Sequence, residues 1–108
     1  MLADLVKNQE KPEPYIRYGD FLLDEKKDRE AALDQYKQAL VWRADDDATR
    51  GKIADIYIAM GTEHYDNQQY AAAQTRFKEA SRYVTDRSSA QGVKLRDQMA
   101  KLEAIRSR

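Results

Sequence analysis

Both prolines of this chain, Pro12 and Pro14, lie near its start. Residues 15–108 therefore run without the one residue that removes a helical N–H and clashes with the preceding turn. Glycine is scarce too, with four copies, whereas a β-sandwich or barrel needs a turn every ~8–12 residues and draws on Gly and Pro to make it. Ala, Leu, Lys, Arg, Glu and Gln are abundant instead, and these residues lose least on entering a helix. The expected fold class is all-α.

At 108 residues the chain has the size of one small domain. Apolar residues at 42% and charged residues at 35% supply enough core material to exclude general disorder. Domains of this size are stable by roughly 5–10 kcal/mol. There is no cysteine, which removes disulfides, thiolate metal sites and cysteine nucleophiles together, and which fits a reducing or an oxidising compartment alike. No apolar run approaches the ~18 residues of a membrane span, and the opening Met1, Leu2, Ala3, Asp4 does not read as a signal peptide. The expectation is a soluble cytoplasmic chain, or a domain cut from a larger protein, with no membrane partner.

Nineteen basic and nineteen acidic side chains cancel over the whole chain. Their distribution is uneven: residues 1–75 carry ten basic and fifteen acidic groups, and residues 76–108 carry nine and four.

Apolar spacing of three and four predicts a series of helices. A short one over residues 1–9 would gather Leu2, Leu5 and Val6, and the prolines at 12 and 14 then break it. A helix from 15 to about 25 carries Tyr15, Ile16, Tyr18, Leu22 and Leu23, and the charged stretch 24–30 reads as a turn. Ala32, Leu33, Tyr36, Ala39 and Leu40 define the next helix, which reaches toward Trp42. Asp45, Asp46 and Asp47 then supply an N-cap and negative charge at the positive end of a long helix over about 48–66. Residues 67–69 read as a turn before a run with Tyr70, Ala73, Phe77 and Ala80, and Ser88 or Ser89 caps a last helix striped by Leu95, Met99 and Leu102.

The two halves repeat one pattern. The first half reads Tyr15-x2-Tyr18-Gly19-x2-Leu22 and then Ala32-x3-Tyr36-x2-Ala39. The second reads Tyr57-x2-Met60-Gly61-x2-His64 and then Ala73-x3-Phe77-x2-Ala80. Small residues let two helices approach, and an aromatic ring from the second helix fills the space between them. One hairpin cannot bury both faces, so copies stack.

This pattern resembles the tetratricopeptide repeat (TPR) family, with its W-x2-L-G-x2-Y, A-x3-F and closing P signature. The resemblance implies a right-handed superhelical array of antiparallel helix hairpins. Within a single domain over 1–108, residues 1–12 form an N-terminal segment, 13–46 repeat 1, 47–87 repeat 2 with a lengthened first helix, and 88–108 a capping helix. The chain departs from the signature in lacking both closing prolines (Ala44 and Thr85 stand near their places), in having tyrosine for tryptophan, and in having His64 for tyrosine. Tyr36 and Phe77 are also 41 positions apart, seven more than the ~34 of the family. Seven residues make two helical turns, so the excess lengthens a helix without turning its buried face. Ile53-Ala54-x2-Tyr57 fits the pattern one heptad earlier and supports a long helix that runs through Gly61; the alternative is that Gly61 ends one helix and Thr62 caps another.

The resemblance also implies a concave partner groove lined by the first helix of each hairpin. Its positions here are Ile16, Asp20, Leu23 and Asp24, then Asp55, Ile58, Thr62, Tyr65 and Asp66. Apolar side chains among acids suit an apolar peptide flanked by basic residues, although Ile16, Leu23 and Ile58 also suit core or end packing. Family members that hold a chaperone's C-terminal carboxylate do so with lysine and asparagine, whereas the matching places here carry Ile16, Asp20 and Thr62, and Asp20 would repel a carboxylate.

No residues point to chemistry. His64 is the only histidine, no HExxH or EF-hand spacing exists, and neither a phosphate loop nor a nucleophile elbow is present. The expectation is no enzyme, no cofactor and no metal. The leading function is an adaptor or scaffold that binds a peptide or partner domain. The alternative is self-association through array ends, using Trp42, Leu2, Leu5 or the Leu95, Met99, Leu102 stripe. Nucleic-acid binding by the basic C-terminal third (Arg76, Arg82, Arg87, Lys94, Arg96, Lys101, Arg106, Arg108) ranks below both, because the last helix has no aromatic to stack on bases.

Overall fold

The computed structural model of the protein describes residues 12–107. Among them are five helices and no strand: α1 (Pro12–Asp24), α2 (Arg29–Trp42), α3 (Asp47–Asp66), α4 (Tyr70–Tyr83) and α5 (Ala90–Arg106). The protein is all-α. The helix expected over residues 1–9, with Leu2, Leu5 and Val6, lies outside the described residues.

The local chemistry of the chain accounts for where each helix starts and stops. The prolines were expected to stand before the helix starting at 15; instead Pro12 opens α1 and Pro14 sits inside its first turn. The first N–H groups of a helix have no intrahelical acceptor, so proline loses nothing there. Asp28 caps α2, its carboxylate accepting the Ala31 N–H at 3.0 Å. Asp46 precedes α3, accepting the Arg50 N–H on its carbonyl at 3.0 Å and the buried Thr49 hydroxyl on its carboxylate at 2.8 Å.

At 20 residues, α3 runs unbroken through Gly61. It ends at the expected turn. Gln68 takes a left-handed φ of 63° while its N–H bonds the Tyr65 carbonyl and the Gln69 N–H bonds that of His64, the paired closure of a Schellman motif. Ser89 caps α5 by accepting the Gly92 N–H at 3.1 Å. Just before it, Asp86 accepts the hydroxyl and the backbone N–H of Ser88, which holds its carboxyl below the usual carboxylate range.

The chain divides into two compact units, with the boundary between Arg50 and Gly51. In the first unit α1 and α2 form an antiparallel hairpin around buried Leu22, Ala32, Leu33, Tyr36 and Ala39. Arg43 and Glu13 meet at 3.6 Å, tying the end of one helix to the start of the other. A β-carbon built on Gly19 would lie 2.6 Å from the Tyr36 ring, so only glycine admits that ring at its observed depth.

The second unit repeats the device. A β-carbon on Gly61 would lie 2.5 Å from the Phe77 ring. Tyr57 stacks on Tyr83 at 6.0 Å, and Tyr65 meets Tyr70 edge-on at 5.7 Å, so α3 and α4 are antiparallel as well. Tyr36 and Phe77 are 1% and 0% exposed, the core positions the repeat pattern predicts. Helix α5 packs against α4 and buries Leu95 and Leu102. Gly92 allows its first turn to sit on the backbone of Arg87, whose carbonyl oxygen would be 2.6 Å from a β-carbon there. No helix among the described residues is long and apolar enough to cross a membrane.

Candidate functional site

The expected groove residues fall in both units, and the structure treats them differently. On α1, Ile16 and Leu23 are partly buried and Asp24 is exposed. Asp20, expected to face a partner, accepts a hydrogen bond from the Tyr36 phenol. Burial, then this bond and the charges of Asp20 and Asp24, push that phenol well above its ordinary range. Asp20 thus positions a core ring as well as bordering the surface.

On α3, Ile58 is 2% exposed and presents no surface to a partner. The physical reason is visible along the helix. Ile56, Tyr57 and Ile58 are buried in succession, and at 100° per residue three consecutive positions cover most of the circumference. Over this stretch α3 offers no apolar side chain to a groove.

Asp55 is exposed but accepts the Gln91 side-chain amide at 2.7 Å, the same amide that reaches the Gly51 carbonyl at 2.8 Å. Thr62 is partly buried, and its hydroxyl is shielded from solvent with no hydrogen-bond partner among the described residues. Tyr65 is partly buried against Tyr70, and Asp66 is exposed at the end of α3. His64, at the expected tyrosine position, is partly buried and shares a hydrogen bond with Gln69 through Nδ1 at 2.7 Å. No group of three or more His, Asp or Glu that could hold a metal occurs among the described residues.

Two aromatic residues that the pattern did not mark as surface stand out on α1. Tyr18 is 51% and Phe21 45% exposed. Their rings stack at 6.3 Å with 13° between planes, and the Lys26 ammonium lies 5.7 Å from the Phe21 ring centre. Tyr18 fills the second large place of the repeat pattern and is exposed, whereas its counterpart Met60 is buried. The available signal was an aromatic pair at i and i+3, the spacing at which helical side chains meet.

No family model matches the chain, and no curated protein or solved structure does. The candidate surface therefore stands on its own chemistry. In the first unit it offers Tyr18 and Phe21 with Asp24 nearby in the helix; in the second it offers Tyr65 and Asp66.

Proposed function

We propose that this chain is a non-enzymatic protein-interaction module, an adaptor or scaffold whose first-helix surfaces bind a peptide or partner domain. The observation that carries this is the recurrence of one interlock, Gly19 under Tyr36 and Gly61 under Phe77, in two successive hairpins. Stacked copies of a hairpin built this way make the right-handed TPR-like array that the sequence resembles, and such arrays serve by presenting extended surfaces. Exposed aromatics beside carboxylates suit an apolar segment with basic flanks, since aromatic side chains dominate binding energy and opposite charge steers encounter.

The test compares the wild-type protein with an Asp24→Lys, Asp66→Lys variant in affinity capture with identification of the bound proteins. Both residues are exposed, so the variant keeps the wild-type circular dichroism spectrum and melting midpoint while losing the captured set. A folded variant that captures the same proteins overturns the acidic surface as the binding site.

Self-association is the second reading, favoured by Val41 and Trp42, which are 73% and 46% exposed at the end of α2. The stripe considered with them is corrected: Leu95 and Leu102 are 4% and 3% exposed and face inward. Light scattering that reports a monomer at every concentration rules this reading out.

A further inference from the structure

Every exposed large apolar side chain among the described residues belongs to the first hairpin: Tyr18 and Phe21 on α1, Val41 and Trp42 on α2. Helix geometry shows how they are arranged. Gly19 and Leu22 turn toward α2, and Ala32, Tyr36 and Ala39 turn toward α1. At about 100° per residue, Ile16 and Leu23 fall to one side of that contact. Leu33 and Leu40 fall to the same side, because the sense of rotation reverses in an antiparallel partner. The bond between Asp20 and the Tyr36 phenol lies there too. This side of the hairpin is covered, with Leu33 3% exposed and the other three partly buried.

Tyr18, with Phe21 beyond it, falls to the opposite side, and so does Trp42. Each of the three stays about half exposed, at 51%, 45% and 46%. Val41 points away from α1 and takes no part. One face of the hairpin is therefore closed, and the other presents three aromatic rings.

The size of the open face limits what covers it. Three half-exposed aromatic side chains leave on the order of 300 Å² uncovered, well short of the roughly 800 Å² per partner that a stable protein pair buries. The fitting occupant is short. Residues 1–11, which lie outside the described residues, join α1 at Pro12. The contact of Arg43 with Glu13 at 3.6 Å places that junction at the Trp42 end of the face. Phe21 stands nine residues beyond Pro12, about 13 Å along the helix, a length that nine helical residues also span. Leu2, Leu5 and Val6 recur at spacings of three and four, one stripe of three apolar side chains. Two acidic and two basic side chains leave residues 1–11 neutral, so the complementarity is apolar.

We propose that residues 1–11 fold back along the first hairpin and lay Leu2, Leu5 and Val6 over Tyr18, Phe21 and Trp42, closing the open face from within the chain. Attachment at Pro12 supplies an effective concentration in roughly the millimolar range, which sustains a contact this small. One consequence rests on the adaptor reading: a partner that reaches Tyr18 and Phe21 must first displace this segment. The covering itself does not rest on it.

The test uses the intact chain, in which Trp42 is the single tryptophan. In the wild type, Trp42 resists acrylamide quenching, and nuclear Overhauser contacts run from the Leu2, Leu5 or Val6 methyl groups to the Tyr18, Phe21 or Trp42 rings. Losing one buried leucine shifts a two-state covering about tenfold or more. The Leu2→Asp, Leu5→Asp variant therefore quenches more readily, emits further to the red and loses those contacts, with its circular dichroism unchanged. Asp4→Ala, off the stripe, quenches like the wild type. So does the Asp24→Lys, Asp66→Lys variant; no partner is present in these measurements, so failure of the acidic surface and failure of the covering are separate results. Absence of the methyl-to-ring contacts in the wild type overturns the proposal, as does quenching that Leu2→Asp, Leu5→Asp leaves unchanged. Protection of Trp42 that grows with protein concentration, with contacts between differently labelled copies, assigns the face to a second copy and overturns it as well.

Discussion

Gly19 sits so close beneath Tyr36 that a β-carbon on it would lie 2.6 Å from Cε1 of the ring. Gly61 stands in the same relation to Phe77, at 2.5 Å. Both rings are buried inside packed hairpins, so an added methyl group must displace a ring with nowhere to go. Gly19→Ala and Gly61→Ala should each destabilise the protein by about 1–3 kcal/mol despite the better helix propensity of alanine. Gly51 also lies in a helix but has nothing within 4 Å of its built β-carbon, so Gly51→Ala should stabilise by up to about 1 kcal/mol. Urea denaturation of the three variants checks the opposition in sign.

The phenol of Tyr36 offers a pH test. Its ionisation is pushed well above the ordinary range, first by burial and then by the bond to Asp20. Below about pH 10 the phenol is protonated in folded and unfolded chains alike, and it contributes no pH dependence. Above it the unfolded chain releases a proton that the folded chain retains, so stability falls as pH rises toward the folded value. Tyr36→Phe should cost about 1–2 kcal/mol at pH 7 through the lost hydrogen bond and should flatten the alkaline decline. Chemical denaturation at pH 8, 10 and 11 on both proteins measures this, and an equally steep decline in Tyr36→Phe would contradict it.

The turn after α3 asks a side-chain-bearing residue to adopt φ 63° at Gln68. A β-carbon in the left-handed region costs roughly 1–2 kcal/mol that glycine avoids, less what glycine loses in the unfolded chain. Gln68→Gly should therefore raise stability by about 0.5–1 kcal/mol with no change in the helical circular dichroism signal. A lowered melting midpoint would show that contacts of the glutamine side chain outweigh the backbone term.

Thr62 carries a shielded hydroxyl with no partner among the described residues. Leaving such a group unsatisfied costs about 1–3 kcal/mol, and an apolar residue of the same shape removes that cost. Thr62→Val should accordingly be neutral or stabilising by about 1 kcal/mol, read as an unchanged or raised melting midpoint. Clear destabilisation would mean that the hydroxyl is satisfied in solution.

The sequence by itself determined the helical class, the approximate limits of α2 to α5, the cap at Ser89, and the two glycine–ring interlocks, whereas the cap at Asp28 lay inside a stretch read only as a turn. These rest on short-range chemistry: backbone propensity, capping side chains a few residues from the N–H they satisfy, and a small-residue spacing that repeats along the chain. The long α3 was legible for the same reason, since a seven-residue excess is two whole turns and leaves the buried face in place. Only the tertiary structure decided which side of each helix stays uncovered. Helical periodicity says that Ile58, Tyr18 and Asp20 lie on some face, and it is silent on what lies opposite. Ile58 is enclosed within a run of buried positions from 56 to 58, Tyr18 is turned out where its counterpart Met60 is buried, and Asp20 is engaged by a phenol sixteen residues away. Burial is a property of neighbours brought together by folding, and those neighbours are distant in the chain.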